Sequence, residues 1–149
     1  MSFLPDKPII IRSNAFTKAV SWFLDVYAIT LYPFVVMRES EEKEGMSVGD
    51  RFKAQLKDQT IIHHETIHMR QYKELWVIGL VFLYLYDWVH GVIKYKSFQK
   101  AYYRIRVEQE AYSNQNKFQF YFDGKPHGEL YEKDYADTRE PFAWKKYEV

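Results

Sequence analysis

The chain contains no cysteine. Disulfides and thiolate zinc sites are thereby excluded, and histidine, aspartate and glutamate remain as its only strong metal ligands. Charge imbalance is also missing: 21 Lys and Arg stand against 20 Asp and Glu, a formal net charge of +1. Without a basic stripe there is no electrostatic footprint for nucleic acid, and no such partner is expected. A clean membrane span is lacking too. The uncharged run Leu75 to Tyr86 is shorter than the roughly 20 residues a span requires, and extending it to Ile93 would bury Asp87 and His90. The other apolar stretch, Val20 to Met37, is interrupted by Asp25 and Pro33. The first run is therefore expected to be a buried core helix, with docking on a membrane or a larger protein assembly left open. The first residues, Met1 to Pro8, lack the basic region, apolar core and small-residue cleavage site of a signal peptide, so an exported location is not expected.

What is present fits one globular domain spanning 1–149. Apolar residues make up 47% of the 149 and charged residues 28%, enough for a hydrophobic core without the polarity of a disordered chain. Ile9 to Ile11 form a short β-branched run, and Ser13 and Asn14 are N-cap candidates for a helix over Ala15 to Leu24. Tyr27 to Met37 is rich in β-branched and aromatic residues and reads as one extended strand, with Pro33 at an edge position or bulge. Arg38 to Arg51 is polar and acidic, a surface loop. Asp58 is the expected N-cap of the next helix, whose apolar and polar spacing through Ile61, His64, His68, Gln71 and Leu75 carries it to about Trp88. A polar joint at Lys94 to Ser97 precedes a further helical segment around Val107 to Tyr112. Phe118, Phe120 and Phe122 alternate with other residues as in a short strand, and Gly124 to Gly128 reads as a turn. The fold class expected is α+β.

Only five histidines occur, and three lie in His63-His64-Glu65-Thr66-Ile67-His68. This contains H-E-x-x-H. On a helix, residues four apart share a face, so the imidazoles of His64 and His68 can hold one metal ion. Glu65 is then placed to reach a water on that ion as general base. His63 points roughly 100° away around the helix and is not expected to join them. A catalytic zinc usually takes three protein ligands. His90 and His127 are weaker choices than Glu108 and Glu110, which fall on a downstream helix that could turn back against the first. Two apart, those glutamates cannot share a face easily, so one is a ligand candidate and the other a neighbour of the site or a solvent-facing residue.

H-E-x-x-H followed by Glu108-Gln109-Glu110-Ala111-Tyr112 resembles the gluzincin metallopeptidases, whose small single-domain forms are the minigluzincins; related cores occur in membrane-bound CAAX-processing and sensor proteases. The ordering of Ala28 to Phe34, His64 to Gln71 and Glu108 to Asn114 is also similar to short H-E-x-x-H proteins of bacteria and their phages. The resemblance implies a zincin-like fold, in which an active-site helix and a third-ligand helix pack with a short β-sheet. It implies Zn2+ held by His64, His68 and Glu108, with Glu110 the alternative third ligand, and a peptide or protein substrate hydrolysed with Glu65 as base. It further implies a cytoplasmic or virion-associated protein, with peripheral membrane association open. The run departs from thermolysin-like enzymes at Tyr112, which stands where those enzymes carry an Asp that orients the first histidine. Tyr102, Tyr103, Tyr112 and Arg106 are candidate donors to a transition-state oxyanion. The competing expectation is a catalytically inactive zinc-binding structural or interaction protein, part of a larger phage or membrane-associated assembly. In the plainest alternative the motif is only a polar helix face.

Overall fold

The computed structural model describes residues 8–22, 26–41, 43–116, 120–122, 130–132 and 146–149. Among these described residues it is α+β, with five helices, a three-stranded mixed sheet and a two-stranded one. β1 (Ile9–Arg12) runs into α1 (Asn14–Val20), capped by Ser13, whose hydroxyl accepts from the Phe16 amide at 3.3 Å. The expected single strand over Tyr27 to Met37 is instead a hairpin of β2 (Ala28–Leu31) and β3 (Phe34–Met37), turning at Tyr32 and a cis Pro33. An unbroken β-branched run does not reveal where a chain reverses, and two residues suffice for the turn. The sheet order is β1-β3-β2, with β1 parallel and β2 antiparallel to the central strand. Pro33 thus lies between the strands and does not interrupt a ladder.

The register decides which residues reach the next layer. Ala28 pairs with Met37 and Thr30 with Val35, so all four side chains share one sheet face. Ala28, Val35 and Met37 are buried there against Ile61 and Ile62 of α2 (Val48–Leu75). Thr30 is carried on the same face towards the helix.

α2 begins ten residues before the expected cap at Asp58. Ser47 is the N-cap: its hydroxyl accepts from the Asp50 amide at 3.1 Å and donates to the Asp50 carboxylate at 2.7 Å. Asp58 lies inside the helix, buried, and pairs with Arg12 of β1 at 2.8 Å. The helix also stops earlier than its apolar pattern suggests. Trp76, at φ 60° and ψ 151°, separates α2 from α3 (Val77–Tyr95). A non-glycine residue rarely takes positive φ, so nothing in Leu75-Trp76-Val77 announces the break.

Lys96 and Ser97 form the joint to α4 (Phe98–Arg104), and Ile105 separates α4 from α5 (Arg106–Asn114). α3 and α4 approach closely at Gly91, where an added Cβ would lie 3.0 Å from the Ala101 Cα and Cβ. Glycine permits that approach, and a larger residue would force the helices apart. Val26, Tyr102, Ile105 and Val107 are buried in a second apolar cluster with Leu83, Tyr84 and Trp88 of α3 packed on it. β4 (Phe120–Phe122) and β5 (Leu130–Glu132) pair antiparallel in a second, two-stranded sheet. The expected turn at Gly124 to Gly128, with His127, lies outside the described residues, as does Leu24, the expected end of a helix that stops at Val20 with Ser21 as its C-cap.

Asp87, completely buried on α3, replaces a missing cap. α5 has no side-chain cap of its own at Ile105; the Asp87 carboxylate accepts the Arg106 amide at 3.0 Å and grips its guanidinium through contacts of 2.6 to 3.2 Å. The carboxylate that would obstruct a membrane span thus anchors α5 two residues before Glu108. Asp87→Ala removes the fully buried carboxylate that holds both the Arg106 amide and its guanidinium, and is expected to destabilise the fold by about 3–5 kcal/mol. Urea denaturation measures it; a change no larger than that of a typical surface substitution would contradict this role.

Candidate metal centre

Two helices build the centre. α2 supplies His64 and His68, four residues and about 40° apart, so their rings sit edge to face with centroids 4.8 Å apart. α5 packs on α2 and brings up Glu108. The Nε2 atoms of the two histidines are 3.2 Å apart, and Glu108 Oε2 lies 3.3 Å from one and 3.4 Å from the other. Among the described residues, this is the group of three metal-ligating side chains whose donor atoms cluster, all within 4.8 Å of one another and all buried. Three donors on a tetrahedral zinc, with bonds of about 2.0–2.1 Å, stand about 3.3 Å apart. The triangle of His64, His68 and Glu108 has that edge on all three sides, so the residues fit the ion.

The outer nitrogens of both histidines are held by amides. His64 Nδ1 meets Gln115 Oε1 at 2.9 Å and His68 Nδ1 meets Gln71 Oε1 at 2.7 Å. An amide oxygen only accepts, so each Nδ1 carries a proton and Nε2 is the nitrogen left to face a metal. The orientation of Gln71 is overdetermined: its Nε2 donates to the Val107 carbonyl at 3.0 Å and to Glu110 Oε2 at 2.6 Å. Glu110 therefore sits away from the imidazoles and fixes the amide that orients His68. Of the two glutamates left open by the sequence, Glu108 is the one that meets the histidines.

Two tyrosines complete the surroundings of Glu108. Tyr84 of α3 donates to Oε1 at 3.2 Å and Tyr102 of α4 to Oε2 at 3.1 Å. Burial, then the adjacent Glu108 charge, raises the pKa of both phenols, which keeps them donors. Tyr112 packs its ring on His64, centroids 4.6 Å apart, and burial pushes its hydroxyl up to about 12. It does not orient His64 through Nδ1; Gln115 does. Gln115 was not singled out from the sequence, although it lies two turns beyond Glu108 and hence on its face. Tyr84 was hidden in the apolar run. His63 turns aside to the Gln115 carbonyl at 2.9 Å, and His90 is exposed on α3. Arg106 is engaged by Asp87, and Tyr103 is half exposed.

Glu65 is held by the sheet beside the triangle of donors, close enough for its charge to act on His68. Thr30 Oγ1 of β2 donates to its Oε2 at 2.5 Å and its backbone carbonyl at 3.3 Å. Glu65, His68 and Glu108 together form the polar end of a cavity of about 430 Å³, whose remaining walls come mainly from β2 and from apolar residues of α3 such as Leu80, Val81 and Leu85. Ligand pockets typically measure about 300–1,000 Å³.

Without metal, the centre holds a proton. Burial alone would lower the His68 pKa, but the Glu108 carboxylate outweighs it and raises it to about 9. Burial would likewise raise the Glu108 carboxyl, and the histidines reverse that and hold it lowered. In metal-free protein the raised His68 pKa contributes stability that is complete below about 6.5, its ordinary value, and is lost as pH rises through about 9. Because a metal needs the bare Nε2, zinc uptake at pH 7.5 is expected to release about one proton per ion. An indicator dye in lightly buffered solution reads this, and uptake with no release would contradict a protonated His68.

No family model matches the chain, and no curated protein or solved structure matches it.

Proposed function

We propose that the chain is a zinc-dependent metallopeptidase of gluzincin type, a single zincin-like domain in which His64, His68 and Glu108 hold the ion. One observation carries the reading: three buried donor atoms spaced as the edges of a tetrahedral site, beside a glutamate that adjoins the first histidine. An ion held by His64, His68 and Glu108 would supply Lewis acidity to a water and to the scissile carbonyl. Glu65 takes the proton of the attacking water and returns it to the leaving amine, while Thr30 holds its Oε2 in place. Tyr84 and Tyr102 bind Glu108 and keep its carboxylate from turning. β2 is the sheet edge along the cavity, suited to align an extended peptide by backbone hydrogen bonds. The apolar walls favour a large apolar side chain beside the scissile bond.

Elemental analysis of protein purified without chelator tests the metal: one zinc per chain is expected, and protein that neither retains nor takes up zinc would overturn the reading. Cleavage of a peptide library, read by mass spectrometry, tests the chemistry. Zinc with no cleavage of any peptide leaves a structural zinc protein, the competing expectation.

A further inference from the structure

α3 was expected in the core, yet most of it is exposed. It is the one helix among the described residues that is long and apolar enough to cross a membrane. Its inner stripe, Leu80, Tyr84, Asp87 and Gly91, faces the protein. The opposite stripe is Ile78, Phe82, Leu85, Tyr86, Val89 and Ile93, at helical spacing, with Ile78 and Phe82 71% and 70% exposed. A soluble surface rarely leaves so continuous an apolar face bare.

Three features identify what covers it. First, the charge at its end: from Trp88 to Val107 the chain carries cations and no acid, and Lys96, Lys100 and Arg104 are exposed and make no ion pair among the described residues. Such a cluster suits anionic headgroups. Second, aromatic residues mark both ends of the stripe, Trp76 at 80% exposure and Tyr95, the latter with Arg104 at 6.0 Å from its ring. Tryptophan and tyrosine favour the boundary between lipid and water. Third, the stripe runs into the cavity: Leu85 and its neighbour Val81, both about half exposed, also line the cavity that ends at Glu65, His68 and Glu108.

We propose that the outer face of α3 seats the protein on an anionic lipid bilayer, so that the cavity receives an apolar peptide segment from the membrane surface. The helix lies in the plane of the interface. It does not span, because its inner stripe holds the Asp87–Arg106 pair and packs on α4, whose outer residues Lys100 and Arg104 would enter the hydrocarbon. The seat on the bilayer stands independently of catalysis; the origin of the substrate rests on the peptidase reading.

Flotation of the full zinc-loaded chain with vesicles tests the proposal. Wild type is expected to float with mixed phosphatidylcholine and phosphatidylglycerol, and far less with phosphatidylcholine alone. The double variant Ile78→Glu, Phe82→Glu alters exposed residues outside the cavity walls, so its circular dichroism, zinc content and cleavage of a short soluble peptide should match wild type. Its vesicle-bound fraction should fall by about tenfold or more. Lys100→Gln, Arg104→Gln should lose the preference for phosphatidylglycerol. Wild type that floats with neither vesicle overturns the proposal, as does equal binding by the double variant. So does a dimer in sedimentation that the double variant dissolves while vesicles remain unbound, since the face then belongs to a second copy. Flotation without zinc or cleavage would sink the peptidase alone, whereas zinc and cleavage without flotation would sink only the membrane seat.

Discussion

Glu65→Gln is expected to keep its zinc and to lose peptidase turnover by about 10²- to 10⁴-fold, the usual contribution of a positioned general base. The substitution preserves volume and leaves a side-chain oxygen to accept from Thr30 Oγ1, which donates to Glu65 Oε2 in the native protein. It touches none of the three donors, since His64, His68 and Glu108 meet each other and Glu65 meets the sheet. An amide cannot take up the proton of the attacking water, so binding and chemistry are separated in a single variant. Zinc content by elemental analysis and cleavage of peptides bearing large apolar residues are the two readouts. Equal cleavage by wild type and Glu65→Gln removes Glu65 from the reaction. A parallel loss of zinc would instead assign it a part in holding the ion.

The legible parts of the centre were the local ones. His64 and His68 share a face because a helix repeats every 3.6 residues, and no tertiary knowledge is needed to see it. Glu108 and Glu110 stood as a pair because a helix places residues two apart on nearly opposite sides. Which of them meets the histidines depends on how α5 is rotated against α2, and the Asp87 carboxylate that anchors the start of α5 comes from another helix. Gln71 was visible only as a member of a helix face. Its role depends on partners 36 and 39 residues away, Val107 and Glu110. The missed boundaries have a similar cause. Ser47 and Asp50 form an N-terminal cap inside a stretch whose glycines and acids read as loop, and Trp76 breaks a helix without any breaker residue. The exposure of α3 was illegible because its apolar residues surround the whole helix, so periodicity does not distinguish the inner from the outer stripe.

Zinc affinity should rank the residues around the centre, and Glu108 should stand far above the rest. Glu108→Ala removes a donor and also leaves the Tyr84 and Tyr102 hydroxyls buried without their acceptor, so it is expected to weaken zinc by well over 100-fold. Because that variant risks unfolding, Glu108→Gln serves beside it: the amide oxygen still accepts from the tyrosines while the anionic ligand is gone, and a comparable loss of zinc is expected. Gln71→Ala and Gln115→Ala leave all three donors but free the Nδ1 of one histidine each, which places them at about 10- to 100-fold. Glu110→Ala is one step further out. Gln71 keeps its contact with the Val107 carbonyl, so the loss should be about 10-fold or less. Competition titration against a chromophoric chelator orders the series. If Glu110→Ala weakened zinc more than Glu108→Gln in folded protein, the third ligand would have to be Glu110, and α5 would have to be rotated in solution by about half a turn to bring it to the histidines.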